Sequence, residues 1–123
     1  MDRHAIELQE KLTGLLKEAA EVSVALDRRN GTIQGVPHYS VIELRAHELG
    51  RQLSREIQQR HMATVVDHHV GRARCPACGA ESELEPAERQ VASIDGPLGL
   101  PELKGYCRKC RRSFFPPPGA AGL

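Results

Sequence analysis

The chain of 123 residues has no tryptophan and few other aromatic residues, namely Tyr39, Tyr106, Phe114 and Phe115. Such a chain cannot build a large globular core, so we expect helix packing and a bound metal to stabilise it. It also lacks an apolar run of about 18 residues, which excludes a membrane-spanning helix. Residues 1–4 lack the apolar stretch of a signal peptide. We therefore expect a cytoplasmic protein that does not contact membranes.

A strong net charge is missing as well, because the formal charge at pH 7 is only +1. No overall field therefore draws the chain toward nucleic acid or a membrane surface. The charges are unevenly distributed, however. Near the C-terminus a run of basic residues has no acidic residue within it, and it comprises Lys104, Arg108, Lys109, Arg111 and Arg112.

The four cysteines form two Cys-x-x-Cys pairs separated by 28 residues, and they are Cys75, Cys78, Cys107 and Cys110. Two residues between the partners let both thiolates of a pair reach one tetrahedral ion. Two such pairs supply the four sulfurs of a closed structural zinc site. Gly79, directly after the first pair, suits a turn that needs positive φ. The spacing predicts a structural zinc ion.

Other interpretations of the cysteines are two disulfides or two independent surface pairs. The reducing cytosol disfavours disulfides. A thioredoxin-like redox pair needs a βαβ context, which the sequence around these cysteines lacks. Iron is a less favoured alternative to zinc, because a site of four thiolates accepts either metal.

Two amphipathic helices are predicted for residues 1–70. The first, about 3–28, has an apolar seam at Leu8, Leu12, Leu15, Ala19, Val22 and Leu26. Asp2 is placed to cap its start, and Asn30-Gly31 supplies a left-handed stop. The second, about 41–66, begins at a predicted capping box of Ser40 and Glu43. Its seam continues through Ile42, Ala46, Leu49, Leu53 and Ile57.

The loop of about ten residues between these helices favours an antiparallel helical hairpin. One hairpin covers only part of its apolar stripe. We therefore expect a homodimer formed through the helical hairpins.

Residues 71–115 are predicted to form a four-cysteine zinc ribbon with a short β-hairpin. Strands at 90–94 and 98–106 are joined through Asp95-Gly96, and the acidic stretch 81–88 is predicted to be a loop. Pro101 implies an edge position or a bulge. Residues 116–123 are predicted to be a Pro-rich extended tail. The fold class is a small α+β protein, a helical hairpin followed by the ribbon.

Several landmarks occur in a fixed order along this region: Cys75-Pro76-x-Cys78-Gly79, Asp95-Gly96-Pro97, Tyr106-Cys107-x-x-Cys110, Phe114-Phe115-Pro116 and Gly122-Leu123. This order resembles the N-terminal region of the ISKra group of insertion-sequence transposases, over residues 38–123. The resemblance implies a helical segment and a zinc ribbon that precede a catalytic domain of ribonuclease-H type. That catalytic domain, with its acidic triad, is not in this chain.

The resemblance implies a non-catalytic DNA-binding and assembly fragment of a transposase. Its partners would be DNA at transposon ends and a separate catalytic chain. Cutting DNA requires carboxylates that converge on two metals in a folded pocket. The acids here lie mostly on the helix seams or in the 81–88 loop, so we predict no enzymatic activity.

The residues themselves leave two functions open. The basic run surrounds the second cysteine pair, with Tyr106, Phe114 and Phe115 nearby, which is typical of a nucleic-acid-binding surface. Alternatively the aromatic residues cover the metal site as core, and the cations offset the charge of a zinc tetrathiolate. The protein would then be a stand-alone, zinc-stapled dimerisation module without DNA binding.

Overall fold

The computed structural model describes residues 1–68 and 71–116. The chain divides into two compact units, Met1–Ala46 and His47–Leu123. This division falls within the second helix, whereas the sequence placed a domain boundary between residues 70 and 71. Apart from Pro116, the predicted Pro-rich tail lies outside the described residues.

The first unit contains helix α1, Arg3–Arg29. Its predicted ends are confirmed within a residue. The Asp2 side chain accepts a hydrogen bond from the Ala5 N–H at 2.7 Å, which satisfies a free donor of the first turn. At the other end the Asn30 N–H donates to the Leu26 carbonyl, and Gly31 follows with φ +79°. Glycine adopts this left-handed conformation without the steric cost that a Cβ would bring.

Helix α2 spans Tyr39–Asp67 and begins two residues before its predicted start at 41. The predicted capping box was wrong, because Ser40 lies inside the helix. His38 caps it instead: its Nδ1 lies 3.1 Å from the Ser40 backbone nitrogen, which donates to it. His38 Nδ1 is also 2.8 Å from Ser40 Oγ. The hydroxyl that was expected to cap the helix is thus engaged by the true cap.

The apolar seams of both helices are largely exposed. Leu12 and Leu15 of α1 are each 50% exposed, and Leu49 and Leu53 of α2 are 40% and 44% exposed. The pairing of the two helices as an antiparallel hairpin therefore stays a prediction. No helix among the described residues is both long and apolar enough to cross a bilayer.

The second unit contains the rest of α2 and a four-stranded antiparallel sheet. Its strands are β1 (Arg72–Arg74), β2 (Glu81–Ser93), β3 (Gly96–Cys107) and β4 (Arg112–Phe114). They lie in the sheet in sequence order, β1-β2-β3-β4. The long β2–β3 hairpin is the centre, and each short outer strand pairs near the end of the sheet that carries the cysteines. The coarse class, a small α+β protein, is confirmed.

Two details of the predicted hairpin were wrong. Residues 81–88 form strand rather than loop, because Glu81 to Glu83 pair with β1 and Leu84 to Glu88 pair with β3. The two-residue turn is Ile94–Asp95, one position earlier than predicted, and Gly96 follows with φ +110°.

Pro101 pairs with Glu88 in an unbroken register, so the strand contains no bulge there. Strand β4 pairs only with residues 105–107 of β3, so Pro101 lies where β3 has no neighbour on its second side. This edge position tolerates a residue without an N–H, which is why the bulge is not needed.

A small core lies between the sheet and the end of α2. Ala73, Leu84 and Leu103 come from three successive strands and are 5–7% exposed. Val66 and Phe114 pack against them. So few buried side chains rarely stabilise a domain of this size alone. The sheet is therefore expected to need a further stabilising element.

Polar contacts join α2 to the hairpin within the second unit. Ser54 hydrogen-bonds the Asp95 carboxylate, and Arg55 donates to the Asp95 carbonyl at 2.7 Å. Four residues farther along the helix, Gln59 donates to the Gly99 carbonyl at 3.1 Å. These contacts hold the hairpin turn against the helix.

Candidate metal centre and its basic surroundings

Each cysteine pair lies in a turn that joins two paired strands at the same end of the sheet. The first cysteine turn, residues 75–80, joins β1 to β2. The second cysteine turn, residues 107–111, joins β3 to β4. Since β2 and β3 are themselves paired, the two turns are brought side by side by the hairpin and not by the spacing of the cysteines alone.

The two cysteine turns have the same backbone hydrogen bond. The Gly79 N–H donates to the Cys75 carbonyl at 2.8 Å, and the Arg111 N–H donates to the Cys107 carbonyl at 2.7 Å. The residue after the second cysteine has positive φ in both turns, +75° at Gly79 and +56° at Arg111. Arg111 is the one non-glycine residue with positive φ in the described chain, and no sequence pattern indicated it.

The four thiols converge on one point. All four Sγ atoms lie within 4.8 Å of one another. Cys75 Sγ is 3.9 Å from Cys110 Sγ, and Cys78 Sγ is 3.5 Å from Cys107 Sγ. A tetrahedral ion with metal–sulfur bonds of about 2.3 Å places its sulfurs about 3.8 Å apart. The four predicted ligands are thus brought together at a spacing that could hold a metal ion, and none of them forms a disulfide.

The site is open on one side. Cys107 and Cys75 are 1% and 4% exposed, Cys110 is partly buried and Cys78 is exposed. An ion at this site would be bound on the buried side by Cys75 and Cys107, and on the side nearer the solvent by Cys78 and Cys110. Four thiolates leave no coordination position for a substrate, so the chemistry that this arrangement supports is structural.

The thiols differ in their readiness to ionise. Backbone N–H groups of Cys78 and Ala77 point at Cys75 and lower the pKa of that thiol to about 7. Hydrogen bonding to Cys78, with burial and the other two thiols, raises the pKa of Cys110 to about 12. Of these two thiols, Cys75 forms the thiolate that a metal requires more readily, and Cys110 holds its proton more tightly.

The five predicted nucleic-acid-binding residues are all exposed. Arg108, Lys109 and Arg111 belong to the second cysteine turn, Arg112 begins β4, and Lys104 lies on β3. None of the five forms an ion pair with another residue of 1–68 or 71–116. By contrast, two other arginines of the sheet are paired, Arg72 with Glu81 and Arg89 with Glu102.

A charged groove of about 790 Å³ runs beside the second cysteine turn. Arg108, Lys109 and Tyr106 line it together with Glu81, Glu83 and Glu85. The sequence did not indicate this acidic row, because residues 81–88 were predicted to be a loop. Lys104, Arg111 and Arg112 do not line the groove. Because Lys104 lies opposite Glu85 in the hairpin, Arg111 and Arg112 are the least compensated part of the basic run.

The aromatic residues have separate positions. Phe114 packs on the small core, and Tyr106 is 51% exposed in the charged groove. The Phe115 ring lies 5.0 Å from the guanidinium carbon of Arg89, a cation–π contact. Among the aromatic residues near the second cysteine pair, Tyr106 is therefore the most accessible to a base or another planar ligand.

Comparison with known proteins identifies no relative of this chain. No protein-family model, no curated protein and no solved structure matches it. The function must therefore be argued from the site itself.

Proposed function

We propose that this protein is a non-catalytic DNA-binding and assembly module, in which a zinc ion bound by Cys75, Cys78, Cys107 and Cys110 staples a ribbon. The observation that carries the proposal is the juxtaposition of the thiol cluster with exposed basic side chains that lack ion-pair partners in the described chain. Zinc is preferred to iron because this small fold needs a structural staple, and zinc, which has no redox chemistry, commonly fills that role.

The rigid second cysteine turn supports a role in DNA binding. A metal that fixes Cys107 and Cys110 also fixes the backbone of Arg108, Lys109 and Arg111, so little main-chain ordering remains to oppose binding. Exposed arginines and lysines contact mainly phosphates, which position a protein on DNA but do not specify sequence. The protein should consequently bind duplex DNA with little sequence preference through this turn.

The resemblance to the ISKra group of transposases adds a setting to this proposal. The module would act in the cytoplasm on transposon ends, with a separate catalytic chain, and the helices would assemble two copies. A stand-alone dimerisation module is the second candidate, favoured by the exposed leucine seams and by the acidic row that shares the groove with Arg108 and Lys109.

The test is duplex DNA binding measured by fluorescence anisotropy across a salt series. Each neutralised phosphate contributes about 0.9 to the slope of log K against log salt, so three to five contacts give about −3 to −4.5. Replacing Arg108, Arg111 and Arg112 together with alanine should flatten this slope while the metal content stays unchanged.

The matched control removes three exposed cations elsewhere, by alanine at Lys17, Arg29 and Arg51. It changes the net charge equally but leaves the second cysteine turn intact, so its slope should stay close to that of the unaltered protein. Equal loss in both triple variants would assign binding to net charge and not to the turn. Equal, weak binding by all three proteins would leave the dimerisation module as the function.

A further inference from the structure

Helix α1 carries a heptad seam that the rest of the first unit leaves uncovered. Leu12 and Leu26 occupy a positions, with Ala5 and Ala19, while Leu8, Leu15 and Val22 occupy d positions. Leu8, Leu12, Leu15, Val22 and Leu26 are each 50–59% exposed. At about 1.5 Å per residue the helix is about 40 Å long. A continuous apolar stripe of this length is a surface for another helix.

We propose that α1 binds α1 of a second copy as an antiparallel coiled coil, in which Lys11 pairs with the partner's Glu18. This inference rests on the assembly half of the proposed function and specifies its surface and geometry. The two residues sit at g positions, at the rim of the seam, and both are exposed. In antiparallel coiled coils, g positions of the two helices face each other, as do e positions.

The charges select one antiparallel register. With Leu12 packed against the partner's Leu15, Lys11 faces the partner's Glu18, and symmetry repeats the pair. A slip of one heptad in one direction places Lys11 against the partner's Lys11. A slip in the other direction places Glu18 against the partner's Glu18. Like charges at these positions are destabilising, so both slipped registers are disfavoured.

A parallel arrangement has no such complementarity. There g positions face e positions of the following heptad, so Lys11 would face the partner's Leu16 and Glu18 would face the partner's Ser23. Neither contact is an ion pair. The antiparallel arrangement also places Leu16 beside the partner's Gln9, where its side chain extends the apolar contact. The same helix thus matches a reversed copy of itself better than a parallel one.

The test uses the full, metal-loaded chain and sedimentation equilibrium in low salt. Lys11→Glu and Glu18→Lys each replace two attractive contacts with two repulsive ones, and each should weaken the dimer by about tenfold. The double swap, Lys11→Glu with Glu18→Lys, should restore dimerisation to near the original strength. Lys17→Glu and Glu10→Lys are matched controls, because both lie at f positions on the outer face and should leave the dimer unchanged.

A zero-length carbodiimide cross-link gives a second, independent readout. Lys11 and Glu18 of the same helix are about 10.5 Å apart along its axis, too far for direct coupling. In an equal mixture of isotope-labelled and unlabelled chains, about half of the Lys11–Glu18 links should therefore join a labelled chain to an unlabelled one, whereas a link within one chain never would. Circular dichroism of each variant confirms that helix content is retained.

A protein that stays monomeric at all concentrations would overturn the proposal. This holds also if the reason is that another part of the same chain covers α1. A dimer that is insensitive to both charge swaps, or that lacks the Lys11–Glu18 link, would overturn the antiparallel register. None of these outcomes bears on the DNA role, because the salt slope depends on the second cysteine turn. A flat slope with an intact dimer would conversely remove DNA binding and leave this inference standing.

Discussion

Asp27 in the last turn of α1 forms a two-pronged contact with Arg45 of α2. Arg45 Nη2 donates to Asp27 Oδ1 at 2.7 Å, and Nε lies 3.4 Å from Oδ2. The Asp27 side chain is only 6% exposed. A carboxylate near a helix C-terminus meets the negative end of the helix dipole, so it requires a nearby cation. The ion pair therefore fixes the turn between the helices.

Replacing Arg45 should destabilise the first unit more than is usual for a side chain that is 34% exposed. Arg45→Ala leaves the Asp27 carboxylate buried without its cation, and we expect a loss of about 1–3 kcal/mol in the free energy of unfolding. The measurement is urea unfolding followed by circular dichroism at 222 nm. Asp27→Ala combined with Arg45→Ala should cost less than the sum of the single changes. Additive losses would contradict a direct coupling, and Arg29→Ala serves as the exposed control.

Loss of one cysteine should unfold the sheet but spare the helix of the first unit. Metal binding in sites of this kind contributes on the order of 10–16 kcal/mol, and that energy is folding energy. We expect Cys107→Ser to abolish the dispersed β-sheet signals in an NMR spectrum while α1 remains helical. Metal analysis of the unaltered protein, purified under reducing conditions, should give about one equivalent of zinc. A content below half an equivalent, with the sheet intact, would contradict the structural role.

The metal should leave as the pH falls. Protons compete with the metal for thiolates, so acidification below the pKa of the bound thiols releases the ion. The pKa of Cys75, near 7 without metal, means that its thiolate costs little to form at neutral pH. The raised pKa of Cys110, by contrast, should make it the first ligand to be protonated. Titration of released zinc against pH, with the sheet signals recorded in parallel, should show one coincident transition.

Replacing Arg111 with glycine should stabilise the protein. Its φ of +56° costs a side-chain-bearing residue about 1–2 kcal/mol, and Gly79 avoids this cost at the equivalent position. We expect Arg111→Gly to raise the stability of the sheet by about 1 kcal/mol. Lys109→Gly, in the same turn but at negative φ, should lower it. Thermal unfolding of the metal-loaded proteins compares the two variants, and equal effects would argue against backbone strain at Arg111.

Gly105 should not accept even a methyl group. A Cβ at this position would lie 2.7 Å from Phe114 Cζ and 3.2 Å from Leu84 Cδ2. We expect Gly105→Ala to cost about 1–3 kcal/mol by overpacking. Phe114→Leu in the same chain should recover part of that loss by freeing the space. If Gly105→Ala alone were neutral in chemical denaturation, the ring would not be closely packed there.

Both helices could be predicted from the sequence, because each has apolar residues at helical spacing over most of its length. The start of α2 was displaced, since a histidine nitrogen replaced the expected serine hydroxyl and such a cap leaves little trace in composition. The clustering of four cysteines was equally predictable, because two Cys-x-x-Cys pairs at this spacing are typical of a metal site.

Strand β2 could not be predicted because its signals conflict. Ser82 and Leu84 are buried and alternate with Glu81, Glu83 and Glu85, as half-buried strands do. Glutamate is depleted in strands, however, and the pattern reads as a polar loop until its neighbours are known. Pairing with β1 and β3 decides the outcome. The contacts of Ser54, Arg55 and Gln59 with the hairpin are likewise set by tertiary structure, since polar residues on a helix surface have no sequence signal of their own.

The position of Phe115 depends on the register between β2 and β3. It rests on Arg89, which bonds Glu102 across the hairpin at 2.8 Å, so residues from three distant positions meet on one face. A slip of one residue between β2 and β3 would turn Arg89 and Glu102 to opposite faces and leave the ring without its cation. Phe115 can thus reach its contact with Arg89 only when the two strands are paired in the native register. A misaligned hairpin would leave Phe115 exposed to solvent and to other chains, where the native alignment keeps it partly covered.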